Sequence, residues 1–395
     1  MATDPDEKCQ DADGAASQPD THPGIKDATD SKRAHILDAC GRKDIDELRT
    51  IAITSGGFLT DDLRSKAWPL LLGFDTVDYV TTTPWHDLPT HRDEEQVGLD
   101  VDRSFVYYPN EDSQAELQKK KAELSDLITE VLRRHPYLCY FQGYHDVCQV
   151  LLLVLPRDLR VRAVSRLSVL RMRDFMLPTL APSLTLLRLI PDLLQAEDPE
   201  LYQHLSRNEP YFALSDTLTM FAHNVQRYSE IARLFDALMA REQVFSLYLV
   251  TQIVLRRRAE LLEHDEADML HFTLSKLPPD LDVEAVIADA AALFERHPPE
   301  SLPTWRSISS ASVVKTTRDF NALTAQTLRD GQTFFERQVR ELRWAKQRRK
   351  MMQLAWQNRR LIFAVLVGVG AVYIRKTPPV VGLMSWVTTR LSRSL

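Results

Sequence analysis

The chain has 395 residues, 44% of them hydrophobic, with a formal net charge of −6: enough apolar side chain for one large domain or two ordinary ones. That charge argues against general nucleic-acid binding. The four cysteines, Cys9, Cys40, Cys139 and Cys148, form no C-x-x-C pair and no disulfide-rich pattern, as expected in a reducing compartment. Only 12 glycines stand among plentiful Leu, Ala, Arg and Glu, a composition that favours helix. Residues 1–31 are rich in Asp, Gly, Pro, Thr and Ser and almost free of large apolar side chains, so they are expected to be disordered. Their polar, acidic character predicts no signal peptide. Helices follow over Lys32–Arg42 and Asp44–Thr54, then a break at Gly56-Gly57. Thr60-Asp61-Asp62 reads as a helix start, with Thr60 as N-cap and two acids in the first turn. Arg64 and Trp68 lie one turn apart on that helix, and packing is the plain role for Trp68.

Asp75–Pro89 reads as a loop and Phe105–Tyr108 as a short strand ending at Pro109. Asp112–Arg134 is amphipathic, with apolar residues from Leu117 to Leu132 on one face, and Lys119-Lys120-Lys121 is expected on its solvated side. Pro136 ends that run, and the apolar Val147–Leu155 predicts a buried helix. Between them lies Tyr140-Phe141-Gln142-Gly143-Tyr144-His145-Asp146, which places an amide side chain at the mouth of a helix beside a glycine that lets a partner's backbone come close. About forty residues upstream is Val97-Gly98-Leu99-Asp100-Val101-Asp102-Arg103-Ser104-Phe105. If helical, it puts Asp100 and Arg103 on one face, so that the carboxylate would hold a guanidinium fork suited to phosphate. On spacing alone the plainer reading is a surface ion pair.

Together these stretches resemble the TBC-domain family of Rab GTPase-activating proteins. Val97, Asp100 and Arg103 stand in the order of its Ile-x-x-Asp-x-x-Arg signature, and Tyr140, Gln142 and Gly143 match Tyr-x-Gln-Gly. Asp146 matches an acidic residue that follows, Arg64 and Trp68 an Arg-x-x-x-Trp element, and Phe212-Ala213-Leu214-Ser215 a third block. The likeness covers roughly Gly57 to Pro299. Val97 replaces Ile, Ser104 stands where Thr is usual, no Pro follows Phe105, and Asp216 occupies a position where the family has Trp.

The resemblance implies an all-α, two-lobed multi-helix domain over 32–299 and a GTPase activator with no independent turnover. Its partner would be a Rab in the GTP-bound form. Arg103 would stabilise transition-state charge and Gln142 would orient the attacking water. Asp100 would orient Arg103, and Tyr140 and Gly143 would shape the loop that presents Gln142. The chain shows no Gly-rich phosphate loop, so the nucleotide and its Mg are expected on the partner and no cofactor is expected here. Cys139, His145 and Cys148 lack a fourth ligand at sensible spacing, and no metal site is expected. The alternative is a membrane-anchored Rab-binding adaptor that does not accelerate hydrolysis.

From Arg157 to His297 helix follows helix, with predicted runs at Ser183–Leu194, Phe212–Gln226, Glu230–Ala240, Val244–Glu263 and Val283–Arg296. Residues 300–315 read as a Ser/Pro linker and 316–360 as a long helix. Its basic end interleaves Trp344, Met351, Met352, Leu354 and Trp356 with arginines and lysines, suited to an anionic membrane surface. Leu361–Ile374 is uncharged and flanked by Arg359-Arg360 and Arg375-Lys376, and predicts a C-terminal transmembrane tail anchor, with 375–395 a short tail. A hairpin that also dips Val380–Val387 into the bilayer is the other topology. With that anchor the chain resembles the membrane-anchored subgroup of the family, which implies an endoplasmic reticulum or Golgi membrane and early secretory traffic, and a C-terminal anchor would leave the catalytic domain facing the cytosol.

Overall fold

In a computed structural model of the chain, residues 23–74, 83–109 and 113–376 are described, and every regular element among them is helical. Those up to Thr333 form one compact unit and those from Phe334 another.

The first unit opens with α1 (Pro23–Arg42), α2 (Ile45–Ile53) and α3 (Asp61–Leu71). α2 starts where the Asp44 carboxylate accepts the Glu47 N–H at 3.0 Å. α3 starts after the extended Thr60 with Asp61 and Asp62 in its first turn, although the Thr60 hydroxyl makes no cap bond. Residues 23–31, expected to be disordered, are instead the first turns of α1, because helix propagates cheaply from a segment already anchored by the buried Ile36 and Ala39. Residues 1–22 lie outside the described residues, as does most of the predicted 75–89 loop.

α4 (Glu94–Val101), α5 (Gln114–Arg134), α6 (Tyr144–Val154) and α7 (Arg157–Arg166) come next. α5 buries Leu124, Leu127, Ile128, Val131 and Leu132 and packs on α4, α6 and α7. The strand predicted at 105–108 is absent. A run of four residues with no partner strand cannot satisfy a ladder, and Phe105 turns into the left-handed region with φ 61°.

The remaining helices are α8 (Ala181–Leu187), α9 (Leu189–Glu197), α10 (Pro199–Leu205), α11 (Leu214–Leu218), α12 (Tyr228–Ala240), α13 (Phe245–Arg256), α14 (Arg258–Leu262), α15 (Ala267–Leu274) and α16 (Val283–Arg296). α13 is the core helix: every residue from Phe245 to Val254 is buried, and it packs on α9 and α16. Three predicted runs are interrupted. Phe212–Gln226 ends after α11, where Met220 and Phe221 take φ of 50° and 68°, while Ser183–Leu194 and Val244–Glu263 break at Arg188 and Arg257.

Residues 300–315 are no linker. Leu302, Trp305, Ile308, Ala311, Val313 and Val314 are buried. Asp174 accepts the Val313 N–H at 3.1 Å and the Ser312 hydroxyl. Arg173 donates to the Ala311 carbonyl at 2.7 Å and to the Thr316 hydroxyl at 2.6 Å. Burial lowers the Arg173 guanidinium to about 10, so it remains charged at neutral pH. The domain therefore runs past 299 through α17 (Val313–Thr316) and α18 (Phe320–Ala325), whose Phe320 is also buried.

α19 (Leu328–Gln357) and α20 (Arg359–Lys376) close the described chain, in place of one helix over 316–360. Among the described residues no helix is long and apolar enough to cross a membrane. α20 has charged residues at both ends and fourteen uncharged ones between, Leu361–Ile374. That is about 21 Å of rise against about 30 Å of hydrocarbon. The transmembrane helix expected there is not borne out. Val380–Val387 lies outside the described residues.

Candidate functional site

Two loops meet over a cleft of about 520 Å³. One leaves α4 and carries Arg103 to Tyr108. The other enters α6 and carries Gln142 and Gly143. The third wall is the segment from Leu214 to Gln226. Arg103 and Gln142 thus line the same cavity although 39 positions separate them, and both side chains are exposed.

α4 ends at Val101 and Arg103 stands just beyond it, its N–H on the Asp100 carbonyl at 3.1 Å. Lys121 of α5 donates to the neighbouring Asp102 carbonyl, so the lysine run is not wholly a solvated face. The Asp100 carboxylate does not hold Arg103 as expected. It is buried and accepts the Tyr140 hydroxyl at 2.9 Å and the Gln96 amide at 2.9 Å. Because the helix stops between them, Arg103 leaves the face that Asp100 occupies, and its guanidinium makes no hydrogen bond or ion pair with any described residue. Burial, then Asp100, push the Tyr140 phenol well above the ordinary tyrosine value, so it stays protonated and donates. Asp100 therefore ties the two loops together through Tyr140.

The loop before α6 is fixed at several points. The Asp93 carboxylate accepts the Tyr140 N–H at 2.9 Å, and His91 and Arg92 meet the Leu138 carbonyl at 3.1 and 2.9 Å. Gly143 caps α6 at φ 95°, a conformation that other residues adopt only under strain. A Cβ there would also lie 2.6 Å from the Thr219 methyl. The close approach foreseen for a partner's backbone is made by this chain's own Thr219. Gln142, immediately before the cap, makes no hydrogen bond with any described residue.

Asp146 sits at the base of the cleft between two imidazoles, 3.2 Å from His145 Nε2 and 2.8 Å from His223 Nδ1. Its hydrogen bond raises the His223 imidazole above the ordinary value, while burial pushes His145 down against the pull of Asp146 and Asp100. Asp216, in α11, is buried on the Asn224 amide at 2.7 Å, and burial raises its carboxyl to about 6. Among the described residues no group of three or more His, Cys, Asp or Glu is arranged to hold a metal ion.

Arg64 and Trp68 lie elsewhere. Both reach the fully buried Asp236 of α12: Arg64 Nε at 3.1 Å and Trp68 Nε1 at 2.9 Å, with the Phe58 N–H at 3.0 Å. Burial alone would lower the Arg64 guanidinium, but Asp236 and Asp61 more than offset that and hold it above its ordinary value. Neither residue lines the cleft.

A model of the Rab-GTPase-TBC domain matches residues 61–262, and that span contains both loops and α12. The chain belongs to the Rab-GTPase-TBC domain family. TBC1 domain family member 20 of Bos taurus is 34% identical to it over 323 residues, covering 80% of this chain and 79% of that protein. GTPase-activating protein gyp10 of Schizosaccharomyces pombe is 35% identical over 286 residues, covering 70% and 76%. The crystal structure of the Ypt/Rab-GAP domain of Gyp1p superposes with a TM-score of 0.51 at 15% identity, over 64% of this chain and 93% of that one, which establishes a shared fold.

In this TBC domain the motif residues Arg103, Gln142, Gly143, Asp100, Tyr140 and Asp146 come together, and Arg64 with Trp68 forms a second, separate cluster. Three residues of the cleft carry no motif signal. His223 is isolated in sequence and reaches Asp146 only because the chain turns after α11. His145 falls inside the motif stretch but attracts notice there only as a rejected metal ligand. Gln149 is the one polar residue among the apolar ones of Val147–Leu155, and a buried carboxamide needs partners. That was the signal available for it.

Proposed function

We propose that this Rab GTPase activator accelerates hydrolysis by lending its partner two side chains, Arg103 and Gln142. The reading rests on one observation. The only two donors that the motifs single out for chemistry point into one open cleft, and neither is engaged by a described residue. An exposed side chain costs little to leave unpaired and is available to another molecule. Phosphoryl transfer needs charge stabilised on the transferring group and a water held in line, and a slow GTPase lacks part of that constellation. Arg103 is a permanently charged planar fork for the first task, and Gln142 can donate and accept for the second. The nucleotide and its Mg would arrive with the Rab, and this chain would contribute no cofactor.

The test is single-turnover GTP hydrolysis by a panel of purified Rabs with the full-length protein. A fragment ending at 299 would strip out Trp305, Val313 and Phe320 from the core. Acceleration of one Rab is expected, and loss of most of it in Arg103→Ala and Gln142→Ala. Removing such an arginine typically costs about 10³–10⁵ in rate. Binding without acceleration by the wild-type protein would favour the adaptor reading.

We also propose that the protein works at an endoplasmic reticulum or Golgi membrane, in early secretory traffic. Membrane attachment is supported by the basic, tryptophan-bearing end of α19 and the exposed apolar residues of α20, including Phe363, Leu366 and Val369. Flotation with anionic vesicles is expected for the full chain and not for one truncated before Arg340. Equal flotation of both would refute the C-terminal attachment.

A further inference from the structure

We infer that Gln149 is a positioning residue that sets Arg103 for the reaction, and this inference rests on the role proposed for Arg103. The observation is a bidentate clamp. Gln149 Oε1 accepts the Phe105 N–H at 3.0 Å, and Gln149 Nε2 donates to the Tyr108 carbonyl at 3.0 Å. The side chain is 4% exposed, so both bonds form away from water. Between its two anchor points Val106 and Tyr107 arch outward, 73% and 46% exposed, as the lip of the cleft.

Arg103 engages no described residue through its side chain, so its position is decided by the backbone on either side. Upstream, the Arg103 N–H holds the end of α4 through the Asp100 carbonyl. Downstream, Phe105 adopts a left-handed φ of 61°, a conformation that an aromatic residue keeps only when its surroundings over-determine it. Gln149 holds the Phe105 N–H in that conformation. The Tyr108 hydroxyl adds a longer bond, 3.3 Å, to the Ala222 carbonyl on the opposite wall. Gln149 projects from α6, the same helix whose N-terminal cap presents Gln142. One rigid helix therefore references both donors to each other: Gln142 through Gly143, and Arg103 through Gln149. Without the clamp, Arg103 would still be present and charged, but its loop would sample positions off the reacting geometry. A misplacement of about 1 Å can cost on the order of 10²-fold in rate.

The test uses full-length protein and the Rab that the wild type accelerates most, measuring the maximal single-turnover rate and the activator concentration at half-effect. Gln149→Met keeps the length of the side chain and removes both bonds. Gln149→Glu keeps the acceptor for Phe105 and loses the donor to Tyr108. The maximal rate should fall about 10²-fold for Met and by less for Glu, with half-effect concentrations within about threefold of wild type. A purely structural role would instead lower the unfolding temperature and leave the maximal rate of the folded fraction intact. A folded Met variant with the wild-type maximal rate overturns the inference. Should Met fail to unfold cooperatively, a folded Glu variant with full rate overturns it. Failure of the underlying reading shows earlier, in wild type that accelerates no Rab or in Arg103→Ala that accelerates normally.

Discussion

The cleft lip and the Asp236 cluster both carry motif arginines, and the two arginines are used in opposite ways. Arg64 is buried, paired with Asp236 and Asp61, and shares the Asp236 carboxylate with Trp68 and the Phe58 N–H. Arg103 is exposed and engages no described residue. A buried guanidinium without full pairing is strongly unfavourable, so Arg64 is part of what holds α3 to α12. An exposed one costs little to leave unpaired and is available to a ligand. A motif thus marks where a residue type is needed, and burial and pairing tell whether the fold or a partner needs it.

Substitutions at the two places should separate rate from stability. The largest effect is expected at the lip. Arg103→Ala should lose about 10³-fold or more in GTPase activation, and Arg103→Lys nearly as much, because an ammonium lacks the planar fork. Unfolding in urea should stay within about 0.5 kcal/mol of wild type for both, since no contact is lost. A drop of several kcal/mol would erase the contrast.

Asp236→Ala should do the reverse. It leaves the buried Arg64 guanidinium with Asp61 alone and strands two N–H donors in the core, at a cost of about 3 kcal/mol in the same urea experiment. If the variant folds at low temperature, its activation per folded molecule should be close to wild type. A fold as stable as wild type would show that Asp236 is not the keystone of α3 and α12.

A smaller, pH-dependent effect is expected at Asp216. Burial raises this carboxyl from 3.8 to about 6. The folded state then binds the proton more tightly than the unfolded one, so stability falls as pH rises from about 4 to about 6. The cost above that window is about 3 kcal/mol. Asp216→Asn keeps an acceptor for the Asn224 amide and removes the titration. It should match wild type near pH 4 and exceed it by about 2–3 kcal/mol at pH 7.5. Parallel stability–pH curves for the two proteins would mean that Asp216 is not the titrating group.

Much of this was legible beforehand for physical reasons. Helix type follows from local periodicity and composition, so α2, α3, α5, α12 and α16 stand close to where the sequence predicts them. The resemblance that the motifs carry implies a joint role for Arg103 and Gln142, and the fold lines one cleft with both. What failed depended on partners far away in sequence. The segment 300–315 looks like a linker in composition and becomes core through Arg173 and Asp174, nearly 140 positions upstream. Asp100 and Arg103 have the spacing of an ion pair, yet α4 ends between them and Tyr140, from another loop, takes the carboxylate. The sequence by itself determined a helical domain, its family and which side chains are candidates for chemistry, because periodicity, composition and motif order are local or additive. Only the tertiary structure decided which of those side chains are spent on the fold and which remain free, because burial and pairing are properties of neighbours that the chain brings together by folding.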